Sequence, residues 1–276
     1  MTKSSVSNRI LPAIRWLAAF LIPFLALAFV ILYFLPHQSG QRFAWGIQPE
    51  MSAMMLAAAY AGGVVFFTWA LLAQKWHHIK HGFLPVTTFA SALGIATILH
   101  WENFTHGHIA FILWAGLYFT TPFIVFALWL RNRVQDPGAL DERDFLLPGA
   151  VRLWIGGMGV ITLVIAVLLF IVPSLMIPLW PWTLSPLTAR VMSAIFALPA
   201  VVGVEVALDA RWSAARVILQ ALSFSILLIL IAAGVSRGDF DWSRPVSWLF
   251  TGGLGAILAS VVAVYLMAEM QLRKQQ

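Results

Sequence analysis

Apolar residues in this chain do not alternate with polar ones, nor do they recur on one side of a helix. They run on without interruption in eight stretches, roughly 16–35, 51–73, 83–100, 109–130, 153–176, 187–208, 217–235 and 245–268. A bilayer core about 30 Å thick needs about 20 apolar residues in helical form, and most of the stretches meet that length. A helix that is hydrophobic all round belongs in lipid or in a deep core. The pattern predicts an all-α polytopic membrane protein with eight transmembrane helices. The third stretch is short, and the sixth carries Arg190 near its start and Glu205 near its end, so the pattern alone leaves counts of six or seven open.

The placement of charge selects eight. With eight spans the N-terminus, the even-numbered connections and the C-terminus share one side, which holds thirteen Lys and Arg residues, among them Lys3, Lys75, Lys80, Arg131, Arg152, Arg211 and Lys274. The other side holds four: Arg42, Arg190, Arg237 and Arg244. By the positive-inside rule this puts both termini in the cytoplasm, in a bacterial inner membrane. Most tryptophans, such as Trp16, Trp45, Trp76, Trp101, Trp182, Trp212 and Trp248, fall near span ends, where an amphipathic ring prefers the headgroup level. Trp69 and Trp114 lie deeper. The first stretch, Trp16 to Leu35, is too long for a signal-peptide core and lacks a following small-residue cleavage site, so it reads as a retained helix.

The chain also repeats itself. Arg15, Pro36, Trp45 and Pro49 return in the same order and at one constant offset as Arg152, Pro173, Trp182 and Pro186. After a one-residue slip, Lys75-Trp76 returns as Arg211-Trp212 and Asn103-Phe104 as Asp239-Phe240. Ordered pairs at a nearly constant offset point to duplication. Residues 1–138 then form a first four-helix repeat and 139–276 a second. Four is an even number, so both copies enter from the same face and the repeat is parallel, with its axis along the membrane normal. The linker, about 131–152, contains Asp136-Pro137-Gly138 and a mixed-charge stretch to Asp144, which reads as a turn and surface loop.

The phrases Phe43-Ala44-Trp45-Gly46-Ile47-Gln48-Pro49 and Trp180-Pro181-Trp182-Thr183-Leu184-Ser185-Pro186 resemble those of bacterial eight-helix membrane proteins with tandem four-helix repeats. That resemblance implies the fold and no activity.

Composition agrees and narrows the chemistry. Hydrophobic residues make up 61% of the chain, charged residues 10%, and mean hydropathy is +0.88. The net charge of +6 lies between apolar runs rather than in a patch interleaved with aromatics, so it reports topology and not nucleic-acid binding. Cysteine is absent, which excludes thiolate metal sites, disulfides and thiol nucleophiles. There is no Walker motif, zinc-protease motif or nucleophile elbow. No cofactor is indicated.

Arg190 is the sharpest candidate. It stands about one turn inside the sixth span, where its repeat counterpart is Ala53, and a guanidinium there needs a partner, water, an anionic ligand or the headgroups. Glu50 begins the second span at similar depth and would meet Arg190 if the repeats pack face to face. His100, Glu102, His106 and His108 could supply nitrogen and oxygen to a divalent metal, but their spacing matches no established motif, and they read as a metal-free interfacial loop. His77, His78 and His81 lie on the opposite face, so the two groups cannot share one site. Glycine groups at Gly62-Gly63, Gly156-Gly157-x-Gly159 and Gly252-Gly253-x-Gly255 read as close helix contacts.

Three functions remain open. The first is transport or binding of a small anionic or lipophilic molecule between the repeats, with Arg190 and Glu50 as ligand-binding residues. The second is an accessory subunit that docks a membrane-protein partner. The third is an outer-face metal-dependent enzyme. Membrane lipids are partners in every case.

Overall fold

The computed structural model describes residues 7–274; Lys3 and the last two residues lie outside that range. Eight helices among the described residues are long and apolar enough to cross a membrane: α1 Pro12–Phe34, α2 Glu50–Leu72, α3 Phe83–Leu99, α4 Ile109–Asn132, α5 Gly149–Ile171, α6 Pro186–Leu208, α7 Trp212–Val235 and α8 Pro245–Arg273. The protein is an all-α, multi-pass membrane protein. A bilayer offers no water to unpaired backbone groups, so each apolar run must satisfy its own N–H and C=O groups as a helix.

The fifth helix ends earlier than its hydropathy suggests. Apolar sequence continues to Met176, but Pro173 cannot donate to the helical ladder and restrains Val172 away from helical angles. Val172 is accordingly non-helical, with φ −127° and ψ 60°, and a separate turn begins at Pro173. Pro23, Pro122 and Pro199 stand inside α1, α4 and α6, which continue through them.

Packing divides the helices into two layers. Between 44% and 61% of the residues in the α2, α3, α6 and α7 spans are buried, against 6% to 28% in α1, α4, α5 and α8. The inner four form the core and the outer four face lipid. Helix α1 packs on α2 and α5 on α6, while α3 packs on α4 and α7 on α8. The core is closed by α2 against α7 and α3 against α6. Consecutive helices α2 and α3 thus each find their main core partner in the other half of the chain.

Glycine sets the closest approach. A Cβ placed on Gly203 of α6 would lie 2.6 Å from the Cα of Gly159 in α5, and one on Gly159 would lie 2.9 Å from the Cα of Gly203. Small residues here let the two backbones touch, which is how helices gain dispersion energy when lipid removes the hydrophobic drive. Gly62 packs similarly against Ser225 and the Ala221 carbonyl of α7. Gly252, Gly253 and Gly255 of α8 face open space instead.

Two kinds of extramembrane anchor hold the helix ends. On the termini side, extended chain before each half's first helix bonds to the connection after its second. Trp76 N–H donates to the Asn8 carbonyl (3.0 Å), and Trp212 N–H donates to the Phe145 carbonyl (2.9 Å). Arg15 reaches the Ala73 carbonyl at 3.1 Å, and Arg152 the Ala207 carbonyl at 2.6 Å. On the other side, Trp45 packs among Phe43, Phe104 and Trp114, with ring centroids 4.8–5.3 Å from its own. Trp182 packs the same way among Trp180, Phe240 and Phe250, at 5.0–5.4 Å. Each such aromatic pair contributes roughly 0.5–1.5 kcal/mol beyond burial, so each cage is a rigid clamp across a helix entry.

Because the chain has no native cysteine, single cysteines report topology directly. Gln41 and Ala139 are both exposed and lie in connections separated by an odd number of spans. Gln41→Cys and Ala139→Cys should react with a membrane-impermeant maleimide from opposite sides of sealed vesicles. Reaction of both from one side would refute the eight-span crossing.

Candidate functional site

Arg190 is presented by the first turns of α6. Pro186 starts the helix, and the Ser185 hydroxyl accepts a bond from Thr188 N–H at 3.1 Å, an N-cap that fixes the entry angle. The Arg190 guanidinium meets His100, at the C-terminal end of α3, with Nη1 2.8 Å from its Nε2. It also lies 6.0 Å from the centre of the Phe170 ring, within cation–π range. Its Nε is buried without a hydrogen-bond partner. Burial, and then the adjacent Arg190 charge, push the His100 pKa down. A neutral His100 accepts from the guanidinium, and the Arg190 charge is met by no carboxylate among the described residues.

Glu50 is not the partner of Arg190. The face-to-face pairing of α2 with α6 gives way to α2 on α7 and α6 on α3, so the Arg190 turn lies against the end of α3. The first turn of α2 is met from the other half by Asp239, whose Oδ2 accepts from Met51 N–H at 2.8 Å. That carboxylate sits where the positive end of a helix dipole favours it.

The outer histidines do not converge. His100 is committed to Arg190. His106 stacks on Trp101, centroids 5.0 Å apart, and His108 Nδ1 accepts from Ala110 N–H at 3.2 Å, capping α4. Glu102 is exposed. These four residues hold separate structural positions and offer no common point for a metal.

Beside the α6 helix lies an apolar crevice of about 150 Å³, walled by α5, α6, α7 and α8 with α2 contributing Met55 and Ala59. Met158, Thr162, Phe196, Ile229 and Leu254 are among its lining residues. Apolar cavities stay dry and accept apolar guests. Ile195, at its outer end, follows Arg190 by little more than one turn, about 7.5 Å of helical rise.

At the termini face a dense ion network ties the interhalf linker to both halves. Arg211 is 3% exposed. It forks to Asp209 through Nε (2.9 Å) and Nη2 (2.6 Å), and to Asp136 through Nη1 (3.0 Å) and Nη2 (2.7 Å). Lys80 bonds Asp136 at 2.6 Å and also contacts Asp209. Burial pushes both carboxyls up, but bonds to Arg211 and Lys80 outweigh it and hold them well below the usual carboxylate range. Glu205 lies near His81, 3.7 Å from its Nδ1. Sequence reading places these charges at the right edge but makes the linker a surface loop. The signal it lacks is spatial: Asp136 and Asp209 belong to different halves of the chain, and only the fold brings them to one guanidinium.

The network should be read out by acid. Both carboxyls have lowered folded pKa values, so their contribution is present above the unfolded value of about 3.9 and is lost as pH falls below it. Arg211→Met removes the main partner of two half-buried carboxylates and should cost about 2 kcal/mol, less than the loss of a partner in a fully buried pair. In detergent its apparent Tm should fall, and acid unfolding should begin at higher pH than in the parent. An unchanged acid profile would show that the network is a bystander.

Comparison with known protein families, curated proteins and solved structures finds no match for this chain.

Proposed function

We propose that the protein binds a lipophilic small molecule with an anionic end, taken up laterally from the bilayer into the crevice between α5, α6, α7 and α8. The crevice carries this reading: its lining is apolar apart from Thr162 and Ser225, it is walled in part by the lipid-facing helices α5 and α8, and it draws Met55 and Ala59 from the other half of the chain. Arg190 supports the anionic end, although it stands beyond the crevice lining, whose nearest α6 member is Ile195. It keeps a buried Nε donor free, and among the described residues its charge is met by a neutral imidazole and an aromatic face. A hydrophilic substrate is disfavoured, because most polar side chains in the spans are already used. Tyr60 and Tyr118 bond each other at 2.9 Å, and Trp114 donates to Thr97 at 2.8 Å.

The proposal includes an orientation and an origin. Lysine and arginine dominate the termini side, which supports a cytoplasmic placement of that side in a bacterial inner membrane. The two halves are proposed as copies of one four-helix unit. Supporting this, the Trp45 and Trp182 cages, the two backbone straps and the helix pairings recur at a nearly constant offset along the chain. A specific observation also favours an accessory role beside ligand binding. Only 6% of the α8 span is buried, and its Gly252, Gly253 and Gly255 face is open for another membrane helix.

Trp154 lines the crevice and can pass excitation energy to cis-parinaric acid, an anionic acyl probe. Saturable energy transfer is expected in the purified protein. Thr162 bonds only its own helix backbone, so Thr162→Phe should fill the crevice without unfolding and weaken probe binding about tenfold, roughly 1.4 kcal/mol. Arg190→Ala should weaken the acid but leave its methyl ester unaffected. If neither variant alters binding of the acid, the crevice is not the site.

A further inference from the structure

On the termini face, His77, His78 and Asp141 bring one ligand atom each to within 4.8 Å of one another. The two histidines come from the short helical turn Trp76–His78 between α2 and α3, and the aspartate comes from the linker between the halves. His78 Nε2 lies 3.1 Å and His77 Nε2 3.4 Å from the same oxygen, Asp141 Oδ2. The imidazole rings stand nearly perpendicular, at 78°, so both can point lone pairs at one centre without stacking. His77 is fully buried and its Nε2 has no hydrogen-bond partner. We propose that these three side chains bind a divalent transition metal of the zinc class, which pins the interhalf linker to the connection between α2 and α3.

The geometry matches that ion. Zinc holds nitrogen and oxygen ligands at about 2.0–2.1 Å in a tetrahedron, which separates them from one another by about 3.3 Å. The observed 3.1 and 3.4 Å bracket that edge. Two imidazoles and one carboxylate suit zinc or its neighbours rather than magnesium or calcium, which prefer all-oxygen sites. Asp141 is split between tasks: Lys75 takes Oδ1 at 2.7 Å, while Oδ2 faces the two imidazoles and bonds His78 at 3.1 Å, a contact that a metal would replace.

An outer contact is also in place. Asn8 lies 2.7 Å from His77 Nδ1 through its side-chain amide. A metal-bound imidazole donates its other N–H to an acceptor. Turning the Asn8 amide over puts Oδ1 at Nδ1 and supplies that acceptor, at the expense of the longer 3.3 Å bond from His77 N–H. Entry is open as well. His78 and Asp141 form part of the wall of a cavity of about 740 Å³, lined by charged residues such as Glu142, Asp144 and Arg216 as well as by apolar ones. With three protein ligands, a fourth coordination position would be left for water from that cavity. Three protein ligands and one open position make the site exchangeable rather than permanently closed.

The test uses full-length protein in detergent, stripped with chelator and titrated with Zn2+ against a chromophoric competitor, then with Co2+. One equivalent should bind, and Co2+ should show the intense visible bands of a tetrahedral site. His77 is core-packed, so the variants are His78→Gln and Asp141→Asn on the cavity wall, each expected to lower affinity at least about tenfold while retaining the parent's metal-free Tm. His106→Gln, on the opposite face, should bind as the parent does. Failure to bind one equivalent, or equal affinity in the parent and both wall variants, overturns the site, as does loss of binding in His106→Gln.

Discussion

The structure depends on one arrangement: neither half can bury its own central helices. In a bilayer, helices gain nothing from hiding apolar surface, so they associate where backbones approach closely and polar groups find partners. Here α2 pairs with α7 and α3 with α6, across the halves, and these contacts hold the most buried spans of the molecule. The outer helices α1, α4, α5 and α8 then lean on the core as single-sided buttresses. A crevice forms beside α6 because α5–α6 and α7–α8 are separate hairpins brought side by side by the shared core, and nothing bulky fills the gap.

Helix ends carry the remaining specificity. The aromatic cages clamp one face, and the straps and ion network clamp the other. The cages differ in one informative way. Trp182 Nε1 donates to Ser52 at 2.8 Å, tying the second cage to a helix of the first half. In the first cage Trp45 Nε1 is buried with no partner, and Ala189 stands at the position corresponding to Ser52. One cage is therefore locked to the opposite half by a hydrogen bond and the other by packing alone, so the two halves need not respond alike to a ligand or a neighbour.

The spans are legible in the sequence to within a few residues because an uninterrupted apolar run has only one outcome in lipid. The end of α5 is not, since continued hydropathy hides the break that Pro173 imposes. Partner choice is not legible either. The expectation that Arg190 meets Glu50 rests on equal depth implying contact, but depth fixes only one coordinate of three. The rotation of α6 toward α3 decides the partner, and that rotation is set by contacts such as Gly159 on Gly203, which hydropathy cannot encode. The chemistry of His100 suggests a metal ligand, whereas its position at the α3 end makes it the acceptor for a guanidinium. The termini-face histidines share no depth with the outer group and offer no site by themselves. The linker carboxylate that joins two of them is remote in the chain, beyond two further spans.

The contrast between the two faces follows from how each balances charge. At the termini face Arg211 is matched by two carboxylates, and the cluster forms a closed structural unit. At the opposite face Arg190 is matched by a neutral imidazole and a ring, and a net positive charge remains near the membrane boundary. Buried unbalanced charge is retained only where something compensates it, and an anionic ligand is proposed at Arg190 for that reason. The same reasoning separates the two candidate sites chemically. The Arg190 site has no carboxylate partner among the described residues, which is why an anion is proposed there. The termini-face site places a carboxylate beside two imidazoles, which is why a cation is proposed there. Their separation across the thickness of the membrane lets each be altered without touching the other.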